Sequence, residues 1–152
     1  MENRLTTTRL ILQFAHKVDS RLLAAFELRN SNFLLAGNQS RLITRLIFGM
    51  CSFTQIARGP FQACYLGYKI DHDYEGQGLM TEALQVAIDF IFIEYNLHRI
   101  MANYMPANEK SAKLLQRLSF VIEGRAEQYL LINGRWEDHI ITSLINKNWK
   151  NV

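Results

Sequence analysis

Apolar and polar positions change rhythm along this chain, and the changes mark out its elements. From Thr8 to Ala15 they alternate loosely, as in a strand, and from about Asp19 to Leu28 they recur at helical spacing behind Asp19, a suitable N-cap. Asn30 to Ser40 is rich in turn residues and reads as loop. Ile43 to Ile56 and Phe61 to Ile70 are rich in β-branched and aromatic residues, and the Arg58-Gly59-Pro60 turn between them predicts an antiparallel hairpin. Gly78 to Tyr95 predicts a long helix whose apolar side, Ala83, Leu84, Ala87, Ile88 and Ile91, faces the core. His98 to Met105 predicts a strand, and Asn108 to Leu118 a helix that follows Pro106 with Asn108 as cap. Gly124 to Ile132 and Trp136 to Ile145 flank Asn133-Gly134, a pair favoured in two-residue type I′ turns, so the chain closes on a hairpin. Strands alternating with helices between hairpins predict an α/β fold, a mixed sheet with helices on its faces.

Composition narrows the class. The 152 residues, 49% hydrophobic and 20% charged, suit a single domain with one core. With 17 Lys and Arg against 14 Asp and Glu the net charge is only +3, and the basic residues are scattered, so DNA is not an expected partner. Cys51 and Cys64 are too few for a disulfide framework, and Met1 to Arg9 carries no apolar signal region, so a cytoplasmic location is expected. No apolar run approaches the roughly 20 residues that span a bilayer. Ala87 to Ile93 is interrupted by Asp89 and reads as buried helix, so no membrane partner is expected.

The chemistry enters at Tyr68 to Thr81, Y-K-I-D-H-D-Y-E-G-Q-G-L-M-T, where a short apolar strand runs through a glycine turn into the long helix. Gly76 and Gly78 let backbone N–H groups approach an anion, and the helix from about Leu79 offers it unpaired N–H groups and a positive dipole end. A phosphorylated cofactor is the expected ligand. A glycine pair before a helix is more often an ordinary turn, and it is the blocks around this one that raise its weight. No Gly-Lys-Ser or Gly-Lys-Thr comes after the turn, which argues against a P-loop nucleotidase.

Those blocks, E-G-Q-G-L-M-T, then H-R-I-M-A-N-Y-M-P-A-N-E-K-S-A-K-L-L-Q-R-L-S-F, then Y-L-L-I-N-G-R-W-E-D-H, recur in the order seen in the GNAT acetyltransferases. From about Ser52 to Trp149 the chain resembles that family, most of all the Rim-type enzymes that acetylate the N-terminal alanine of ribosomal proteins, in the ribosomal protein S5 branch. Arg4 to Ala15 resembles the family's first strand more weakly. The resemblance implies the GNAT fold, a mixed, mostly antiparallel central sheet with splayed strands and helices on both faces. It also implies acetyl-CoA as co-substrate, wedged between the splayed strands, and the S5 N-terminus as acceptor partner, with the enzyme a monomer or weak homodimer. The pyrophosphate would then lie against the backbone of Glu75, Gly76, Gln77, Gly78, Leu79, Met80 and Thr81. Tyr68, Lys69 and Ile70 would pair with the pantetheine arm, one of their N–H groups serving as oxyanion donor. Asn108 would bind the arm, and Ser111, one turn on, would lie near the sulfur.

The reaction needs an amine that loses a proton, attacks the thioester and releases a thiolate to be reprotonated. Ser111 is the candidate proton donor to the thiolate. Asp71, His72 and Tyr104 are candidates for taking the amine's proton. As bland readings, Asn108 is simply an N-cap, Ser111 a first-turn residue and His72 a solvated loop histidine. Trp136, Asp138 and His139 either border the acceptor groove or brace the last hairpin, and Glu123, Glu127, Glu137 and Asp138 are candidate contacts for a basic acceptor tail. Three departures from the family pattern stand out. Asp73 replaces an Arg or Gln, Leu115 stands where many members carry Tyr, and Asn30 to Thr44 is much shorter than its counterpart, which helps form the acceptor groove. The alternatives are acetylation of another N-terminus or a small amine, or a catalytically weak acyl-CoA-binding module of ribosome assembly.

Overall fold

A computed structural model describes residues 4–13 and 47–150. The expected helix from Asp19 to Leu28 and the loop and short segment from Asn30 to Thr44 lie outside the described residues. By contact density the described chain forms two compact units, one from residues 4–13, 47–51 and 68–86, the other from 52–67 and 87–150.

In the first unit, β1 (Arg4–Thr6) and β2 (Ile11–Gln13) pair antiparallel, Leu5 opposite Leu12. The sequence suggested one strand from Thr8 to Ala15. Within that range Ile11–Gln13 is strand, Phe14 and Ala15 lie outside the described residues, and Thr8 to Leu10 instead turns, because the Thr7 hydroxyl accepts from the amides of Leu10 (3.0 Å) and Arg9 (3.3 Å) while the Thr7 amide donates to the Leu10 carbonyl. This unit also holds the start of β3 (Gly49–Ala57), the end of β4 (Ala63–Ile70), a 3-10 turn at His72–Tyr74 and the first half of α1 (Leu79–Glu94). Leu10, Met80 and Leu84 are its buried apolar residues. Gly49 allows a close approach, since a Cβ there would lie a tight 3.1 Å from Met80 Cε and 3.2 Å from the Lys69 carbonyl.

The main sheet has five strands in the order β3-β4-β5-β7-β6, where β5 is Arg99–Tyr104, β6 Val121–Ile132 and β7 Arg135–Ile145. Residues 58–62 connect β3 to its neighbour β4, as the Arg58-Gly59-Pro60 turn predicted. Asn133 and Gly134 take φ +49° and +78°, both left-handed as a type I′ turn demands, and join β6 to β7. The central strand β5 runs parallel to β4 and antiparallel to β7. Its Ile100, Ala102 and Tyr104 are buried, together with Cys64, Leu66, Leu97 and the α1 residues Ala87, Ile88 and Ile91.

Two features of the second unit bear on its chemistry. The β4–β5 ladder contains only Ala63 with Arg99, Cys64 with Ile100 and Tyr65 with Met101. β4 continues through Leu66 and Gly67, and β5 through Ala102 to Tyr104, with no further register pair between them; this is the expected splay. Helix α2 (Glu109–Arg117) comes after β5, with Leu115 inward and Leu118 at its C-cap. It ends in a Schellman arrangement: the Phe120 amide donates to the Leu115 carbonyl and the Ser119 amide to that of Gln116, with Ser119 at φ +65° where glycine is usual.

Candidate active site

The glycine turn owes its shape to backbone rather than to space. Gly76 and Gly78 hold φ +73° and +76°, a region that disfavours side chains, yet a Cβ on Gly76 would meet nothing within 4 Å. The first amide to bond within α1 is that of Glu82, to the Gly78 carbonyl, so the amides of Leu79, Met80 and Thr81 precede the helical ladder. Two left-handed glycines and a helix N-terminus together make a concavity of N–H groups suited to a diphosphate. Gln77 braces the loop, its side-chain amide donating to the Asp73 carbonyl at 3.1 Å.

Sequence reasoning missed a cation here. Arg9 sends Nη1 to the Gln77 carbonyl (3.1 Å), and its Nη2 lies 3.7 Å from where a Gly78 Cβ would stand. Glu82 holds it there: Oε2 accepts from Arg9 Nε at 2.7 Å and from Nη2 at 2.6 Å, and Oε1 accepts from the Arg9 amide and the Thr7 hydroxyl. The Thr7 hydroxyl bond, then those from Arg9, hold the Glu82 carboxyl below its ordinary range. Asp73 removed the cation expected within the loop, and Arg9 brings one from the β1–β2 turn. No local signal in the sequence could have found a partnership across 73 positions.

The candidate bases occupy different settings. Asp71 is buried and caps the 3-10 turn, Oδ1 accepting from the Asp73 amide at 3.4 Å, while its own amide donates to the Phe48 carbonyl. His72 is exposed, with Nδ1 3.6 Å from a Glu75 oxygen, which matches the bland reading of it. Tyr104 is buried at the end of β5. Tyr68, Lys69 and Ile70 close β4 and are half-buried.

Asn108 is the N-cap of α2, its Oδ1 accepting from the Ser111 amide at 3.0 Å. That bond ties together the two residues expected near the pantetheine arm and sulfur and sets Ser111, half-buried, in the first turn. Leu115 is only 2% exposed, so the position where many relatives place a tyrosine is here part of the core.

Two of the four acids considered for a basic acceptor tail are already engaged within the fold. Glu123 accepts from Ser143 Oγ at 2.8 Å and from Arg99 Nη2. Asp138 accepts from Arg125 Nη2 at 2.6 Å and from the Gln128 amide at 2.8 Å. These bonds, Ser143 first for Glu123 and Arg125 first for Asp138, hold both carboxyls below their ordinary range. Trp136 is 59% exposed, whereas His139 is buried, with Nδ1 3.0 Å from the Glu137 carbonyl.

The splayed parallel pair in one unit and, in the other, the left-handed glycine turn leading into a helix are the features expected of an acyl-CoA-dependent transferase. The chain belongs to the GNAT acetyltransferase family, whose acetyltransferase (GNAT) domain matches residues 9–121, and its co-substrate is acetyl-CoA. It is 38% identical over 179 aligned positions to the ribosomal protein uS5-alanine N-acetyltransferase of Escherichia coli (strain K12), covering 96% of this chain and 92% of that protein. The alignment is longer than the chain's own 152 residues, so that protein carries segments without a counterpart here. The crystal structure of the ribosomal-protein-S5-alanine acetyltransferase from Vibrio fischeri superposes with a TM-score of 0.68 at 55% identity, over 70% of this chain and 58% of that one. Mycobacterium smegmatis RimJ in complex with CoA-disulfide superposes with a TM-score of 0.64 at 28% identity, over 68% of this chain and 50% of that one. No helix among the described residues is long and apolar enough to cross a membrane.

Proposed function

We propose that this chain is one acetyltransferase domain, shortened between about residues 30 and 44, that moves acetyl from acetyl-CoA to the N-terminal alanine amine of ribosomal protein uS5. The observation carrying this reading is the 38% identity to an enzyme of that name across 96% of the chain, joined to a glycine turn suited to a diphosphate. The amides from Glu75 to Thr81 would hold the diphosphate, with Arg9 adding charge beside Gly78. Tyr68, Lys69 and Ile70 would lie along the pantetheine, and an amide among them would polarise the thioester carbonyl. Bound acetyl-CoA supplies the activated acyl group and a thiolate leaving group. Ser111, placed by the Asn108 cap, would return a proton to that thiolate, and Asp71 or Tyr104 would take up the amine's proton directly or through water.

Incubation with acetyl-CoA and a peptide of the uS5 N-terminus, with mass spectrometry as the readout, tests the proposal. The expected result is one added acetyl group on the α-amine; an unmodified peptide beside an acetylated polyamine or a different N-terminus would replace the acceptor. Ser111→Ala should lower kcat while leaving CoA affinity intact, and equal losses in both would remove its acid role.

A second reading is favoured by the alignment that exceeds the chain's length. If the missing positions belong to the acceptor groove, the protein is an acyl-CoA-binding module with weak transfer. Tight CoA binding in calorimetry without transfer to any amine tested selects that reading.

A further inference from the structure

One face of the sheet in the second unit carries polar side chains to which acetyl transfer, as derived from the glycine turn and α2, gives no task. Arg99, Met101 and Asn103 alternate onto the same face of β5, and the β7 ladder sets Ser143 beside Met101 and Ile141 beside Asn103. At one end Arg99 Nη2 and Ser143 Oγ both donate to Glu123 Oε1, while Arg99 Nε is buried with no hydrogen-bond partner among the described residues. At the other, Asn103 Nδ2 donates to the Tyr129 hydroxyl at 3.2 Å. The Tyr65 hydroxyl is also hydrogen-bonded to Tyr129; that bond first, then burial, pushes its pKa up. The buried His139 ring lies 5.6 Å from the Tyr129 ring. Asn103 Oδ1 is likewise buried with no hydrogen-bond partner among the described residues, and it is the one acceptor so left. A buried amide oxygen without a donor is disfavoured and calls for an explanation.

The backbone is distorted where this group is assembled. On β6, Ala126 faces His139 and Leu130 faces Glu137, so Glu127, Gln128 and Tyr129 together stand against Asp138 alone. Gln128 sits at φ +48°, unusual for a residue with a side chain, and the Asp138 carboxylate that accepts its amide holds it there. Such bulges re-aim side chains beside functional sites. Asn103 itself lies in the part of β5 where pairing with β4 has ended, five positions before the Asn108 cap.

We propose that Asn103 seats the acceptor's amino group: Oδ1 accepts an N–H of the neutral amine and so aims its lone pair, while Tyr129, held by Tyr65 and the bulge, fixes the amide's orientation. The inference rests on the N-acetyltransferase reading and deepens it. A neutral amide suits the task, because a carboxylate in its place would hold the amine as unreactive ammonium. Asn103 is thus a positioning residue for the amine and not its base, and Tyr129 acts only through Asn103.

The test compares wild type, Asn103→Ala, Tyr129→Phe and the double variant with acetyl-CoA and the uS5 peptide. Asn103→Ala should lower kcat/KM for the peptide about tenfold, the scale of one lost hydrogen bond, while the KM for acetyl-CoA stays unchanged. Tyr129→Phe should lower it less, and the double variant should match Asn103→Ala, because both changes act at one point. Should Asn103→Ala fail to fold, the peptide kcat/KM of Tyr129→Phe decides: unchanged, it overturns the assignment. Parallel losses for peptide and acetyl-CoA would make the cluster a brace of the sheet and also overturn it. A wild type that acetylates the peptide beside an equally active Asn103→Ala sinks this inference alone. A wild type that neither binds nor acetylates the peptide sinks the acceptor reading and this inference with it.

Discussion

Replacing Gly78 by alanine isolates what the glycine turn contributes. The added Cβ would meet only Arg9 Nη2 at 3.7 Å, an ordinary contact, so the cost lies in the backbone at φ +76°. Holding an alanine there costs about 1–2 kcal/mol. For a chain of this length that is a fall in Tm of about 2–8 °C. Gly76→Ala should behave alike, since φ is +73° and nothing lies within 4 Å. Gly124, in β6, also has open space around it but no positive φ, so Gly124→Ala is the control, expected to be neutral or stabilising by up to about 1 kcal/mol. The variants are melted by differential scanning fluorimetry with and without CoA. If Gly78→Ala escapes its strain by rotating φ, the amides turn from the diphosphate and the Tm rise caused by CoA shrinks. A Gly78→Ala protein that melts like Gly124→Ala and keeps the full CoA-induced rise would refute both the strain and the cradle.

Arg9→Ala should weaken CoA binding about three- to tenfold at low salt and less at high salt, because a partly exposed cation is screened; a loss independent of salt in calorimetry would remove its electrostatic role. Glu82 and Glu123 titrate below their ordinary 4.5, so each stabilises the fold above that pH, and the stability is lost as pH falls through the lower folded values. Glu82→Gln and Glu123→Gln should therefore flatten the loss of stability below about pH 4.5, and an acid-unfolding profile identical to wild type would count against the bonds from Thr7, Arg9, Arg99 and Ser143. Leu115→Ala empties a site 2% exposed and should cost about 2–5 kcal/mol in urea unfolding; a cost under about 1 kcal/mol would mean that α2 packs loosely.

The elements were legible where local chemistry leaves little choice. The Asn133-Gly134 turn, the Asn108 cap and the start of α1 at Leu79 stand where the sequence set them, because type I′ dihedrals, an open helix end and two left-handed glycines each select a few residue types. The strand expected from Thr8 starts only at Ile11, and β1 before it went unread, because Thr7 folds the chain through its hydroxyl, a local bond that competes with the alternation around it.

What the sequence by itself determined, then, is the order of elements, the glycine turn and the family, since these rest on periodicity, turn chemistry and blocks of neighbouring residues. Tertiary structure alone decided that Arg9 stands beside Gly78, that Glu123 and Asp138 are spent on internal partners, and that Asn103 keeps a buried oxygen next to Tyr129. Each of those facts joins residues on different elements, up to 73 positions apart in the case of Arg9 and Glu82. Hydrogen bonds and ion pairs act over a few ångströms of space, and only the folded sheet and helices fix which distant residues come within that reach.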